Sequence, residues 1–346
     1  MKLLILENSD DISIDWDNYI KSNNDCSIYH SIKFINFISD YFNYKKYLFC
    51  AKLNDRIVGI LPIIKTNSFP YGKQLACLPF IGAYNSVCAD SIEIKNSLIE
   101  ELHLFMAKSN VQFAELREQR ENSFELPSYN IYSNYELDIS GNINDIWNHK
   151  LKSKTRNQTR RALKSNLNWD LKGEEGIDSF YKVYALTMRN LGSPPLSKLF
   201  FKSLMGTFPD EMMISIVTMD SEPVSALWLV KSKNKVHNPW AGFIRSYQEY
   251  CPNNLNYWKS IEWAKQLNFQ VFDFGRSIRN SGQAKFKMQW GVNEVLLKYY
   301  YVLNRKKKIP NINPTNQTIN FFSKLWKVIP LSLQLQIGEK LASRVP

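Results

Sequence analysis

Two stretches of this chain spell the same order of elements, and that repetition constrains the fold more than any single motif. In the first, FCAKLNDRIVGILPIIK (Phe49 to Lys65) reads as a strand, a turn at Asn54/Asp55 and a second strand. An aromatic and glycine-bearing stretch (Leu78 to Tyr84), a helix from about Ile94 to Ser109 and a strand from Val111 to Leu116 follow. In the second, MISIVTMDSEPVSALWLVK (Met213 to Lys231) gives strand, turn at Asp220/Ser221, strand; then come NPWAGF, a helix from about Asn254 to Leu267 and a strand from Gln270 to Phe274. Both second strands follow an acid-containing turn, NDRIVGIL against DSEPVSAL, and both last strands carry an acid, Glu115 and Asp273. The pattern repeats while the residues do not, as in a tandem duplication of one architecture. Each half predicts an α/β (α+β) unit, a mixed sheet led by a hairpin with helices packed on it. The predicted limits are 1–146, 147–304 and a linker with a helical tail over 305–346.

Length and composition fit two such units. The 346 residues are 44% hydrophobic and 14% aromatic, enough for two cores. Five cysteines, an odd number without a CxxC pair, and four scattered histidines predict free thiols, a reducing compartment and no metal. HExxH, GxSxG, P-loop and dinucleotide fingerprints are absent from the sequence, which argues against zinc hydrolysis, a serine triad, ATP and NAD. The opening MKLLILENSD is too short a core for a signal peptide. The longest apolar run, Ile57 to Ile64, falls far below the roughly 20 residues of a membrane helix. A soluble cytoplasmic protein is the expectation.

The net charge of +12 is unevenly placed. Asn148 to Leu167 holds Lys150, Lys152, Lys154, Arg156, Arg160, Arg161 and Lys164 and no acid; Lys152, Arg156, Arg160 and Lys164 fall four apart, one stripe of a helix. Such a stripe repels itself without an anionic partner, whether nucleic acid, a phosphorylated sugar, a diphosphate-linked lipid or a membrane. The plainer reading is a solvated face neutralised by neighbouring acids. Arg305 to Lys308 and the Asn-rich INPTNQTIN read as a linker. Beyond it Phe321, Phe322, Leu325, Trp326, Val328 and Ile329 lead into Pro330, and Leu331 to Leu341 continues apolar. This tail is expected to pack back onto the body, with a membrane-surface helix pair as the lesser alternative.

Residues 251–291 concentrate the chemistry. Pro252, Asn253 and Asn254 are helix-start residues, and Phe269 to Phe274 is an aromatic, β-branched strand interrupted by Asp273 and stopped at Gly275. A buried acid needs a partner; Arg276, Lys285 and Lys287 are close enough in sequence to converge on Asp273 or on a bound anion. The alternative is an internal ion pair that pins a loop. His237, before Asn238-Pro239-Trp240, reads as an active-site base or as an ordinary, partly exposed histidine.

The tandem order, WNHKLKSKTRNQTRRALK, TMRNLGSPPLSKLFFKSLMGTFPD (Thr187 to Asp210), YCPNNLNYWKSIEWA, the pair FDFGRS and FKMQWG, and WKVIPLSLQLQIGEKL together resemble a known family. It is the FemAB-type acyltransferases, built of two GNAT-like domains, and within them the branch associated with exosortase and exopolysaccharide loci. The resemblance spans nearly the whole chain and is strongest from Trp147 to Tyr301. It implies transfer of an acyl or aminoacyl group to an amine of a sugar, polysaccharide or cell-envelope precursor. The implied donor is acyl-CoA or aminoacyl-tRNA, with no tightly bound cofactor. The acceptor would be phosphorylated or lipid-linked, and the protein would work in the cytoplasm or at the inner face of the membrane. Two family features are missing: the Q/R-x-x-G-x-G/A loop is replaced by YQEYCPNNLNYW, and a long helical arm of the tRNA-binding kind is absent.

Aminolysis of an ester or thioester needs a place for the amine's proton and an oxyanion stabiliser, which assigns candidate roles, although Lys287 also reads as a surface lysine and Tyr257 as a core aromatic. Lys287 matches the family's FK position, so it is the expected cation near the tetrahedral intermediate. Asp273 would be the base or amine-orienting group, set by Arg276, with Lys285 beside it, and Tyr257 would protonate a leaving group. Arg156, Arg160 and Arg161 would grip acceptor phosphates, and Asn253 and Asn254 would stand at the donor's helix N-terminus. The competing class is a non-catalytic pair of degenerate GNAT-like domains that binds RNA or a polyanionic glycan. The scarcity of aromatics in Asn148 to Leu167 weakens the RNA version.

Overall fold

The computed structural model describes the chain except residues 9–11, 69–70, 78–84, 120–123, 307, 311–316 and 344–346. The stretch Leu78 to Tyr84, and parts of the basic point and linker after Arg305, therefore lie outside the described residues. The chain forms two compact units. The first comprises Met1–Ser133, Leu296–Ile312 and Ser343–Pro346; the second comprises Asn134–Val295 and Asn313–Ala342. These limits differ from the expected 1–146, 147–304 and 305–346. A strand late in the chain returns to the first unit, and the helical tail is part of the second rather than a separate piece.

In the first unit the elements run β1 (Lys2–Leu6), α1 (Ser13–Ser22), α2 (Ile32–Phe42), β2 (Lys45–Leu53), β3 (Arg56–Ser68), β4 (Gly72–Ala76), β5 (Cys88–Ala89), α3 (Ile92–Ala107) and β6 (Phe113–Glu118). Strand β7 (Ser128–Asp138) follows. The second unit adds α4 (Ile143–Asp145), a π-helical turn (Ile146–Lys150), α5 (Ser153–Leu163), β8 (Leu167–Lys172), α6 (Ile177–Leu191) and α7 (Lys198–Thr207). Then come β9 (Met212–Met219), β10 (Glu222–Ser232), β11 (Lys235–Phe243), α8 (Pro252–Gln266), β12 (Val271–Ile278), α9 (Gly282–Met288), β13 (Asn293–Leu303), α10 (Gln317–Val328) and α11 (Leu331–Ala342).

The predicted repeat is present. Both hairpins close through two residues of positive φ, Asn54 (48°) and Asp55 (60°), then Asp220 (50°) and Ser221 (68°). Two such residues in a row match the right-handed twist of the strands they join. The first unit orders its strands β1-β2-β3-β4-β6-β13, and the second β7-β12-β11-β10-β9-β8. Each contains a parallel contact after its hairpin. Leu75 and Ala76 of β4 lie beside Ala114 and Glu115 of β6, and Lys235–His237 of β11 lie beside Val271–Asp273 of β12. A parallel pair needs a crossover, supplied by α3 in one unit and α8 in the other. Trp16, Ile35, Leu48 and Ile60 centre one core; Tyr257, Trp258, Phe272, Phe274 and Trp290 centre the other. Helix α6 covers β10 and β11, while α8 covers β9 and β10.

The tail packs back, but by one face only. Ser323 Oγ donates to Leu191 O at 3.3 Å, Trp326 is buried, and Gln334 Nε2 donates to the carbonyls of Trp326 and Ile329. Gly192 ends α6 at φ +76°, and a Cβ there would come within 2.6 Å of Ser323 O, so only glycine admits this contact. Among the described residues no helix is long and apolar enough to cross a membrane.

Candidate functional site

Strand alternation in β12 turns Phe272 and Phe274 into the core with Tyr257 and Trp290, leaving Asp273 on the opposite face. That carboxylate is fully buried, so it requires donors. Gly275 N donates to Oδ1 at 2.7 Å and Asn134 Nδ2 to Oδ2 at 2.9 Å. Because a carboxylate only accepts, the second bond fixes the Asn134 amide and leaves its Oδ1 buried without a donor among the described residues. Gly275 does not end the strand as its sequence position suggests. It sits within β12 at φ +73°, where a Cβ would approach Asn238 O to 2.7 Å.

Lys287 completes this group from α9. Ser281 caps the helix, accepting from Ala284 N at 3.2 Å, and Ala284 and Lys287, three apart, face inward together. Lys287 Nζ donates to Gly275 O at 2.8 Å and Arg276 O at 3.1 Å and lies 5.6 Å from the Tyr135 ring centroid. Burial pushes its pKa down to about 7, against the field of Asp273 and with that of Arg276. Gly291, at φ +73°, lets the chain after Trp290 pass Lys150 O, which a Cβ would strike. Of the cations expected near Asp273, Lys287 is the one buried with it. Arg276 is half-buried and offers its carbonyl to Lys287, and Lys285 is exposed, because two helical positions away from Lys287 is the other side of α9.

Three further side chains join from β11 and α8. His237 pairs in register with Asp273 at the end of the parallel contact. It is buried rather than partly exposed, and burial, Lys287 and Lys235 lower its pKa to about 3, so its imidazole is neutral. Tyr257 Oη donates to Asn238 Oδ1 at 3.0 Å, and Asn238 Nδ2 reaches the carbonyls of Trp228 and Trp240. Burial raises the phenol's pKa, so Tyr257 keeps the proton that it donates to Asn238. Asn134 and Asn238 were not singled out by sequence reasoning. Neither amide stands out in sequence, because β7 (SYNIYSNYELD) and β11 (KVHNPWAGF) carry other polar residues around them.

The start of α8 departs from the expected cap. Cys251, at φ 56°, holds the N-cap position without a side-chain bond; Pro252, Asn253 and Asn254 are already helical. Asn253 Oδ1 accepts from Ser225 Oγ at 2.7 Å, whereas Asn254 is buried with its Nδ2 unpartnered. Pro252 has no amide hydrogen, and the amides of Asn254 and Leu255 both donate to Cys251 O. Ser215, Ser225, Asn256 and Ser260 form a buried network beneath the helix.

The basic stripe is split. Arg156 turns Nη1 of its guanidinium onto the carbonyls of Asn148 and Leu151, bracing the π-helical turn. Arg160 lies over the Trp147 ring at 5.4 Å and donates to Asn157 Oδ1, and Arg161, Lys154 and Lys164 are exposed. Among the described residues no group of His, Cys, Asp and Glu is arranged to hold a metal ion.

Residues 149–288 match the family described as acetyltransferase (GNAT) domain. Among solved structures, the chain is similar to FemX at a TM-score of 0.63 and 11% identity, covering 87% of this chain and 98% of that one. L-PGS from Bacillus licheniformis aligns at a TM-score of 0.56 and 10% identity over 91% and 97% of the two chains. A tandem GNAT protein from the clavulanic acid biosynthesis pathway aligns at 0.54 and 7% identity over 89% and 100%. No curated protein sequence matches the chain. The fold is the expected one: two mixed-sheet units with packed helices and GNAT-like neighbours.

Proposed function

We propose that the second unit is an acyltransferase site that moves an acyl or aminoacyl group onto an amine of a sugar, polysaccharide or cell-envelope precursor. The observation that carries this reading is Lys287, buried beside Asp273 and held on two carbonyls where the β11/β12 pairing ends. Two of its three ammonium hydrogens have acceptors among the described residues, which leaves one for an oxyanion developing on the acyl carbon. A pKa of about 7 also lets Lys287 exchange that proton near neutrality. Asp273, with the open Oδ1 of Asn134, accepts hydrogens of the attacking amine. Arg276 positions Lys287 through its carbonyl.

The donor is an activated ester or thioester. A helix N-terminus holds pyrophosphate through free amides. In α8 proline removes one and Cys251 O takes two, so of its first amides that of Asn253 is left without a partner among the described residues. This supports an aminoacyl ester over a CoA thioester. The exposed Arg160 and Arg161 suit the phosphates of either a tRNA or a lipid- or nucleotide-linked acceptor. The acceptor class rests on the resemblance to FemAB-type enzymes of exopolysaccharide loci.

The test is acyl release by the full chain from aminoacyl-tRNA and from acyl-CoA. Lys287→Ala and Asp273→Asn are each expected to lower turnover about 10²–10³-fold, while Arg160→Ala/Arg161→Ala weakens substrate binding. Unchanged turnover in the first two variants removes the catalytic reading. Binding lost only in the arginine variant leaves a polyanion-binding module instead. Mass spectrometry of envelope polysaccharide from cells with and without the protein then identifies the acceptor by a missing acyl or aminoacyl mass.

A further inference from the structure

Helix α10 of the second unit is amphipathic in an unusual sense: its inner face is docked, and its outer face is also apolar. Ser323 and Trp326 face α6. At 100° per residue, Phe321, Phe322, Leu325 and Val328 share the far side. They are 60%, 57%, 45% and 75% exposed. Since the inner contacts fix the rotation of the helix, these side chains cannot turn inward without breaking them.

The border of this stripe is cationic. Lys324 and Lys327 are exposed between the apolar arc and the docked face, and α10 carries no acid. The stem of Lys327 is laid along Gly192. Leu333 and Leu341 of α11 are also more than a third exposed. A second copy of the chain would be a poor cover. A two-fold contact through α10 would bring its lysines against each other, in a chain whose net charge is +12. An anionic bilayer satisfies both parts, taking the aromatics at the headgroup boundary and the lysines among its phosphates.

We propose that α10 is a membrane-surface contact that lays Phe321, Phe322, Leu325 and Val328 into an anionic bilayer, with Lys324 and Lys327 on its phosphates. The inference is independent of the acyl-transfer reading, because it uses no residue of the Asp273 group. It makes the protein a peripheral one that works on or near lipid-borne material.

The experiment is cosedimentation of the full chain with vesicles of phosphatidylcholine alone or with about 30% phosphatidylglycerol. The protein is expected to partition at least roughly tenfold more onto the anionic vesicles, and less as salt rises. Phe321→Ser/Phe322→Ser should abolish that partition, and Lys324→Glu/Lys327→Glu should remove its salt-sensitive part. All four positions are exposed, so unchanged circular dichroism and melting are the accompanying control. Equal partition of wild type and both variants, or no partition at all, overturns the proposal. So does a concentration-dependent dimer that the phenylalanine variant abolishes, which would make a second copy the occupant.

Discussion

The two units place an acid at the same point of the same motif and use it in opposite ways. Glu115 in β6 and Asp273 in β12 each stand at the last register position of a parallel pair, opposite Ala76 and His237. Two residues later the first unit has Arg117 and the second Gly275. Arg117 folds back to bond Glu115 Oε1 at 2.8 and 2.9 Å, and Tyr301 Oη donates to Oε2 at 3.0 Å. That acid is spent on an internal pair, and Arg117 also lies over the Tyr299 ring. Gly275, at positive φ, instead gives its amide to Asp273 and its carbonyl to Lys287, so the cation arrives from a separate helix and keeps a hydrogen to donate. One residue two positions after the acid separates a structural ion pair from a candidate site.

The largest expected effect tests the structural side. Arg117→Met leaves Glu115 buried and half-paired, and breaking a buried pair costs about 3–5 kcal/mol. Denaturant melts should show that loss while acyl transfer by the remaining folded protein is unchanged. A variant that melts normally but loses turnover would place chemistry in the first unit and end the contrast.

Next comes Gly275→Ala. Positive φ strains any other residue by about 1–3 kcal/mol, and the Cβ also meets Asn238 O, so the strand must shift. Turnover should fall with stability, because the Lys287 acceptor moves. Full activity in a stable Gly275→Ala protein would show that the carbonyl does not hold Lys287 in place.

The two buried titrating groups give opposite pH signatures. Lys287, lowered by burial from 10.5 to about 7, binds its proton more weakly folded than unfolded. Stability should therefore rise as pH climbs from about 7 towards 10, and Lys287→Met should flatten that rise. In the first unit Glu118 accepts from the amides of Ser86 and Val87 yet is raised by burial from 4.5 to about 7, with Lys95 opposing. It holds its proton more tightly when folded, so stability should fall between about pH 4.5 and 7, and Glu118→Gln should remove the slope. Turnover should decline above about pH 7 as the Lys287 ammonium is lost. A profile that keeps rising through pH 8 would make the neutral amine the working form.

Much of this was legible in advance for identifiable reasons. The hairpin turns carried residues that tolerate positive φ, and Asp273 was conspicuous as an acid in an apolar strand. Lys287 stood out by its resemblance to a family position, and α9's phase then explains why it, and not Lys285, turns inward. What escaped was set by distance in sequence. Asn134 reaches Asp273 from a strand 139 residues earlier. Arg156 finds carbonyl partners in a π-helical turn that the sequence does not announce. Asn253 and Asn254 do stand in the first turn of α8, but the N-cap is Cys251 in a left-handed conformation that composition does not favour.

The smallest expected effect separates prop from acid. Tyr257 packs flat on Phe274, with ring centroids 4.8 Å apart, and its hydroxyl serves only to hold Asn238 in the contacts seen here. Tyr257→Phe keeps that packing and removes one hydrogen bond, a loss of about 1 kcal/mol. Turnover should drop by a few-fold at most, with the shape of its pH profile unchanged, since Lys287 and not the phenol sets it. A loss of a hundredfold or more, with the alkaline limb displaced, would return Tyr257 to the role of leaving-group acid and make Asn238 its positioning residue.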